Sequence, residues 1–492
     1  MVASKKEKES KKAYLNITSS HLRFSFFFLF TLGLLLFPLR TAWAQELPTG
    51  SWAGSLSSGP DNRQAFFHFY PGAAGHNVAL FDLPVQGFHS LQAKLTPQPG
   101  DSLKFHIQSF DAHWIYIAKY NAAKKEINGT LLVAGAGIKI PLQLKPVDAQ
   151  RLRPLRPQTP QPPYPYQEWP VTFNGAAPGV QLSGSITAPK GKKKIPGVVL
   201  LSGSGPHNRD SEQFYHKTFG VLADELTRRG FAVLRYDERG VGTSTGNYTG
   251  TTITEFAQDA KAAVRALRAD RRIKVDKVYV IGHSQGSLEA QIVAADDPDV
   301  AGLVFLAGVG LSGVESRKAQ YRASLKARGI TEEAAKEDLL LYDKSYEIVG
   351  AAPDSATALA NLQQWHKEIK MDPQYSNMYI APFTGNWLFH FLHFDPKPNL
   401  NRIKVPVLAI SGDKDTQVFV EKEFAAMKAG LQAGGNQQFQ SVILPGVNHF
   451  MQTAKTGAYD EPFQLEETFS PAGLQIIGDW LTKQAKTENQ RK

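Results

Sequence analysis

A short apolar run, Val278-Tyr279-Val280-Ile281, passes without a break into Gly282-His283-Ser284-Gln285-Gly286 and then into a helix-forming stretch. Few folds accommodate that succession. Four apolar residues with no polar alternation suit a strand covered on both faces, as in a mostly parallel sheet. Glycines two before and two after the serine let the chain turn from strand to helix within a few residues. The theme recurs after Trp169. Segments Gly197–Leu201, Ala232–Tyr236, Gly302–Leu306, Val405–Ile410 and Gln440–Leu444 read as strands, and Phe214–Arg229, Ile253–Ala269, Gln285–Ala295 and Val418–Ala433 as helices. The alternation predicts an α/β fold with helices on both faces of the sheet.

The chain has 492 residues, more than one ordinary domain requires, so a second folded unit is expected. From 45 to 150 the texture is β throughout. Arg63–Tyr70, Asp101–Ser109 and His113–Tyr120 are short, aromatic, partly alternating segments between turn-rich stretches, which predicts a small antiparallel β-barrel or sandwich. Its histidines (His68, His76, His89, His106, His113) are scattered and show no metal-ligand spacing, so they read as packing or surface residues. Residues 151–167 hold six prolines in 17 positions, a composition that favours an extended, semi-rigid linker. The α/β domain then occupies 168–488. Between about 311 and 401 strand signals stop, and helical, charge-rich sequence leads into an aromatic cluster of Trp365, Tyr375, Tyr379, Phe383, Trp387, Phe389, Phe391 and Phe394. An insertion there predicts a helical cap over the strand ends. Its aromatics either line a substrate pocket or form the cap's own core.

Charge and cysteine content exclude several classes of function. The net charge is +10, but residues 1–44 carry five Lys and two Arg against two Glu, so half of the excess lies there. The remainder has no long basic run, and nucleic acid is not an expected partner. Residues 1–44 read as a signal peptide. A basic stretch precedes the apolar run Phe26–Leu39, and Ala42-Trp43-Ala44 supplies small residues for cleavage before Gln45. The apolar run is about 14 residues, short of the roughly 20 that a span needs, so no stable membrane insertion is expected after cleavage. An exported protein, periplasmic or secreted, is the expectation. The chain contains no cysteine, which rules out disulfides, a thiolate nucleophile and cysteine-ligated metal. No metal site and no cofactor are expected.

The strand–Gly-x-Ser-x-Gly–helix succession is the context of a nucleophile elbow. Ser284 there sits on a strained turn at the carboxyl end of its strand, beside the positive end of a helix dipole. A serine hydroxyl needs a base. In such folds an acid and a histidine follow in that order, each in a loop beyond a later strand. His449 is the only histidine after His393 and follows the strand Gln440–Leu444, which makes it the candidate base. Asp413 and Asp415 compete for the third position. Asp415 lies far enough beyond the strand to curl back to the imidazole, whereas Asp413 is placed to brace the loop. For the oxyanion, the Gly-rich exit Ser202-Gly203-Ser204-Gly205-Pro206 offers the N–H of Ser204, with Gly205 beside it, opposite the N–H of Gln285. Asp237, Arg239, His207, Arg209 and Asp210 read as loop braces. The glycines near 240–246 are no phosphate cradle, because no phosphate-binding motif opens a helix there.

With these residues in place, the chain resembles an exported family of bacterial α/β-hydrolases grouped with carboxylesterases and serine-aminopeptidase-like proteins. The resemblance extends over nearly all of the mature chain. Gly50-Ser51-Trp52-Ala53-Gly54, Ser202 to Pro206 through Asp210, Arg235 to Ser244, the elbow, Gly412 to Val418 and Leu444 to His449 carry it. It implies an α/β-hydrolase domain behind the β domain, and cofactor-independent hydrolysis of short acyl esters, with Ser284, Asp415 and His449 matching the family's triad. One departure stands out. Relatives often read Gly-His-Ser-Glu-Gly-Gly, where this chain has Gln285 and Ser287. The implied partner is a small-molecule ester. Two other functions remain open from sequence. One is a peptidase or amidase on the same triad. The other is a non-catalytic binding protein whose β domain recognises a partner or polymer.

Overall fold

The computed structural model describes residues 48–487, apart from 57–63, 72–76, 85–87, 99–101, 109–112, 135–137, 149–155, 192–193 and 460. The signal-peptide segment lies outside the described residues, as does His76.

The amino-terminal strands close on themselves. β1 (Gly50–Ser55), β2 (Gln64–Pro71), β3 (Asn77–Leu83), β4 (Phe88–Pro97), β5 (Ser102–Gln108), β6 (His113–Asn121), β7 (Glu126–Val133) and β8 (Ile138–Pro146) form an antiparallel barrel closed by β1–β8 pairing. Of the two expected architectures it is therefore the barrel. Alternate residues of β5 are buried, as a strand with one face inside requires. The interior is solid. Phe67 lies at its centre, with ring centroids 5.1 Å from Phe81, 5.2 Å from Tyr116 and 5.6 Å from Phe105. The Tyr116 hydroxyl donates to the Leu142 carbonyl at 2.9 Å, and burial pushes its pKa upward. Closure removes exposed edges, and the aromatic filling leaves the barrel a packed core.

Two of the barrel's histidines are less scattered than their spacing suggests. His68 and His89 converge on the buried Asp82, at 3.2 and 3.5 Å. Both histidines hold the Asp82 carboxyl well below its usual range, against the opposing effect of burial. Neighbouring strands bring together residues 14 and 7 positions apart, a juxtaposition that cross-strand register creates and linear spacing hides.

The proline-rich stretch is pinned to the body. Arg156 donates to the carbonyls of Phe214 and Phe463, and Gln158 bonds the backbone of Thr468 and Phe469. β9 (Gln167–Asn174) and β10 (Gln181–Ala188) follow as an antiparallel pair. β11 (Lys194–Leu201), the two-residue β12 and β13 at Glu212–Gln213 and His216–Lys217, β14 (Ala232–Tyr236), β15 (Lys274–His283), β16 (Val300–Leu306), β17 (Val407–Gly412) and β18 (Phe439–Leu444) complete the strands. The main sheet runs β18-β17-β16-β15-β11-β14-β10-β9, parallel from β14 to β18.

Helices α1 (Thr218–Arg228), α2 (Ile253–Ala269) and α3 (Gln285–Asp296) come next in the body. The first differs from the sequence expectation. Phe214 to Lys217 belongs to a small hairpin, with Phe214 and Tyr215 at φ 52° and 65°, so the helix starts at Thr218. The cap comprises α4 (Gly313–Ala327), α5 (Lys336–Ala351), α6 (Ser355–Glu368), α7 (Pro373–Ile380) and α8 (Asn386–Leu392). α9 (Lys397–Arg402), α10 (Val420–Ala433) and α11 (Pro471–Thr487) return to the body. One face of the sheet packs on residues of α2, α3 and α10, the other on α1 and α11, giving two apolar layers. Among the described residues no helix is long and apolar enough to cross a membrane.

The barrel docks on the loops at the carboxyl ends of the strands. Leu91 bridges to Val241, Gln92 donates to the carbonyls of Gly242 and Ser244, and His89 packs edge-on against Tyr215 at 5.2 Å. Phe67→Ala empties the centre of the barrel and is expected to cost about 3–5 kcal/mol of barrel stability. Urea denaturation followed by tryptophan fluorescence, with Trp52 and Trp114 as reporters inside the barrel, measures that loss.

Candidate active site

β11 and β15 are neighbours, and β14 lies on the far side of β11 from β15, so the chain leaves β11 at a point where strand order reverses. Loops at such a switch point diverge and leave a crevice. The exit of β11 carries Gly203, Ser204 and Gly205, and the exit of β15 carries Ser284.

The turn at Ser284 is as tight as the backbone allows. A Cβ on Gly282 would stand 2.2 Å from the Gly286 carbonyl oxygen, and one on Gly286 would stand 2.4 Å from that of Ser202. Neither position tolerates a side chain. Ser284 takes φ 51° and ψ −118°, a strained conformation for a non-glycine residue. Its N–H donates to Leu306 at 2.8 Å, which holds the strain in place. Gln285 is the first residue of α3, so its N–H has no acceptor within the helix. On the opposite loop the Ser204 N–H donates to no described residue. Gly205 also lines the cavity, but its N–H donates to the Tyr248 hydroxyl at 2.9 Å.

Asp415 and His449 meet through a second close approach. A Cβ on Gly412 would lie 1.7 Å from the Val447 carbonyl oxygen, so the loops after β17 and β18 touch backbone to backbone. The His449 Nδ1 stands 3.0 Å from both carboxylate oxygens of Asp415. Asp415 is further fixed by the N–H groups of Gln417 and Val418 and by the Ser411 hydroxyl. Asp413 faces elsewhere and accepts from the Gly446 N–H at 2.6 Å. Ser284, His449, Ser204 and Gly205 all line one cavity of about 250 Å³.

Two further histidines hold the frame. His283 donates from Nε2 to the His449 carbonyl at 2.9 Å, and burial lowers its pKa to about 3. His207 donates to the Ser204 carbonyl at 3.1 Å, and burial lowers its pKa to about 4. Both are therefore neutral donors near pH 7. Arg209 clamps Asp237 at 2.7 Å, and Arg239 clamps Asp259 at 2.7 Å. These are braces of the loops.

The cap meets α3 through Gln285. Its side-chain carbonyl accepts from the Trp387 indole at 2.5 Å, while its amide donates to Glu289 at 3.1 Å. A glutamate at 285 would lack the second of these donors. Ser287 donates to the Ser284 carbonyl and accepts from the Val309 N–H. Of the cap's aromatic cluster only Trp387 is among the residues that line the cavity. Phe383 is buried within the cap, Phe391 is buried against Ile253, Ala257, Leu288 and Ile292 of the body helices, and Tyr375 is exposed. Sequence reading missed two cavity contributions. Phe88 from the barrel is one, and Arg317 and Gln320 from α4 are the other. No local motif marks either, because each enters through tertiary placement alone.

Burial raises the Glu289 pKa to about 8 and pushes that of Glu238 well up, each carboxyl worsened by neighbouring acids. Folded Glu289 holds its proton between its ordinary value near 4.5 and about 8, whereas the unfolded chain releases it. Its contribution to stability is complete below the lower value, falls as pH rises through this window, and levels off above. Glu289→Gln keeps the acceptor for Gln285 and removes the titration. Urea denaturation at several pH values should show the variant gaining on the native protein from pH 5 to 8.

The pattern has known counterparts. A family model described as serine aminopeptidase, S33, matches residues 198–453. Esterase EstD of Thermotoga maritima is 26% identical over 318 residues, 65% of this chain and 68% of its own. Serine hydrolase BPHL of Homo sapiens is 23% identical over 209 residues, 41% of this chain and 59% of its own. Among solved structures, the Pyrococcus furiosus esterase Pf2001 covers 65% of this chain and 91% of its own at 18% identity, with a TM-score of 0.41. The span matched by the family model contains Ser204, Ser284, Asp415 and His449 together. The chain belongs to the serine aminopeptidase S33 family of α/β-hydrolases.

Proposed function

We propose that this protein hydrolyses carboxylic esters with short acyl groups, using Ser284 as nucleophile, His449 as base and Asp415 as its orienting acid. The two-point contact of Asp415 with His449 Nδ1, in the cavity that Ser284 lines, carries the proposal. With Nδ1–H directed at the carboxylate, His449 presents a basic Nε2. That nitrogen takes the proton as Ser284 Oγ bonds to the acyl carbon, and the carbonyl π-electrons move to its oxygen. The N–H groups of Ser204 and Gln285 receive the oxyanion. Collapse expels the alkoxide, protonated from His449, and leaves an acyl-serine. Water then repeats the cycle, and the acid departs.

The size of the cavity, about 250 Å³, supports a short acyl group. The names of the relatives, esterase and serine hydrolase, support ester chemistry. The family description favours a second reading, hydrolysis at a peptide amino terminus. A free amine calls for a carboxylate partner, and among the described residues lining the cavity there is none. Phe88 makes the barrel a wall of this cavity, which supports a catalytic rather than an adaptor role for it.

Ser284→Ala should reduce turnover of p-nitrophenyl acetate to near background while leaving the fold intact. Comparison with an aminoacyl-p-nitroanilide separates the two chemistries. Arylamide turnover without ester turnover would overturn the ester assignment. We also propose that residues 1–44 direct export and are removed. Amino-terminal sequencing of protein recovered outside the cytoplasm should begin at Gln45, and an intact Met1 would count against cleavage.

A further inference from the structure

The cavity that holds Ser284 and His449 adjoins a larger one. A second chamber of about 630 Å³ shares Arg317, Gln320, Gln417 and Tyr459 with it. The smaller chamber holds the reacting groups. The larger therefore has room for the part of a substrate that does not react.

The chemistry of its wall is lopsided. Arg317 and Arg328 contribute two guanidinium groups, and Tyr321, Tyr346 and Tyr459 contribute three phenol rings. Among the described residues lining both chambers there is no carboxylate. Three other arginines of the domain each meet an acid: Arg209 with Asp237, Arg239 with Asp259, and Arg322, five residues beyond Arg317 on the same helix, with Asp343 at 2.6 Å. Arg317 and Arg328 form no ion pair among the described residues. Arg317 is half-buried, lies 5.8 Å from the centroid of the Tyr346 ring, and donates from one terminal nitrogen to Gln320. Its Nε is buried without a hydrogen-bond partner.

A half-buried cation facing a low-dielectric cleft with no counter-charge attracts an anion, and a guanidinium fork matches a carboxylate in two-point geometry. We infer that the larger chamber is a subsite for a carboxylate on the alcohol portion of the substrate, held by Arg317 with Arg328 adding to the field. The tyrosine rings suit an aromatic or otherwise planar spacer between that carboxylate and the ester. This inference rests on the esterase reading for its chemistry, while the anion site itself stands on Arg317 and its surroundings. It also sets the protein apart from an enzyme that grips a cationic amino terminus, which these arginines would repel.

Two substrates test it: 3-(4-acetoxyphenyl)propanoate and its uncharged amide, 3-(4-acetoxyphenyl)propanamide. Both present the same acetyl group and release a phenol of similar leaving ability. The expected result is a kcat/KM roughly 10- to 100-fold higher for the carboxylate, the range of a hydrogen bond to a charged group. Arg317→Gln should bring the ratio close to one, Arg317→Lys should restore part of it, and Arg328→Gln should lower it less. A native protein that hydrolyses both esters equally, or a ratio that Arg317→Gln does not change, overturns the anion subsite and leaves the esterase standing. Calorimetric titration of Ser284→Ala with 3-(4-hydroxyphenyl)propanoate provides the independent arm. Binding that disappears when Arg317→Gln is added, in a protein that hydrolyses neither ester, overturns the esterase reading and retains the subsite.

Discussion

Contact between bare backbones holds this candidate active site together. Gly286 presses on the carbonyls that end β11, and Gly412 presses on the carbonyl of Val447. The first contact brings the turn at Ser284 against the loop that carries Ser204. The second brings the loop of Asp415 against that of His449. Side chains at either glycine would meet backbone oxygens and force these loops apart, and no adjustment of rotamers could recover it. The sheet contributes the fixed frame on which both contacts depend, because parallel neighbours β11 and β15, and β17 and β18, deliver their exits at the same edge. The convergence of Ser284, Asp415 and His449 is a property of strand order before it is a property of side chains.

The polar groups around that frame are arranged to keep charge fixed. Asp237, Asp259 and Asp415 each meet a designated donor, while His207 and His283 are buried far enough to stay neutral and donate to carbonyls. Glu289, on α3, and Glu238, in the loop after β14, form the exception, two buried acids that retain protons well above their ordinary range. The Gln285 amide suits this environment. It offers a donor to Glu289 and an acceptor to Trp387, and so links the helix behind the serine to the cap with no added negative charge.

Much of this was legible from residues whose neighbours lie close in sequence. The strand that ends in Gly-His-Ser-Gln-Gly revealed both its burial and its turn, and Gly412 to Val418 showed where an acid could curl back. The barrel was visible as a set of short aromatic strands, although barrel and sandwich share that pattern and only the β1–β8 pairing distinguishes them. Phe214 to Lys217 read as helix because its apolar spacing fits one, yet two residues at positive φ bend it into a hairpin. What sequence could not show was convergence. Asp82 gathers His68 and His89 through register, and Arg317 reaches the cavity from a cap helix whose own pattern looks like an ordinary solvated surface. The aromatic run from Trp365 to Phe394 was open from sequence between pocket wall and cap core, and the fold divides it: Trp387 reaches the cavity, Phe383 packs within the cap and Phe391 packs on α2 and α3.

Phe88 stands at the end of a strand in one closed unit and forms part of the wall of a cavity whose Ser284 and His449 belong to another. One wall of the cavity is thereby supplied by a different part of the chain from its floor. Changes at the barrel's rim reshape what fits beside Ser284 without altering any group that carries a proton. The rim at Phe88 can thus change the shape of that wall while the loops that carry Ser284, Asp415 and His449 keep their own backbone contacts.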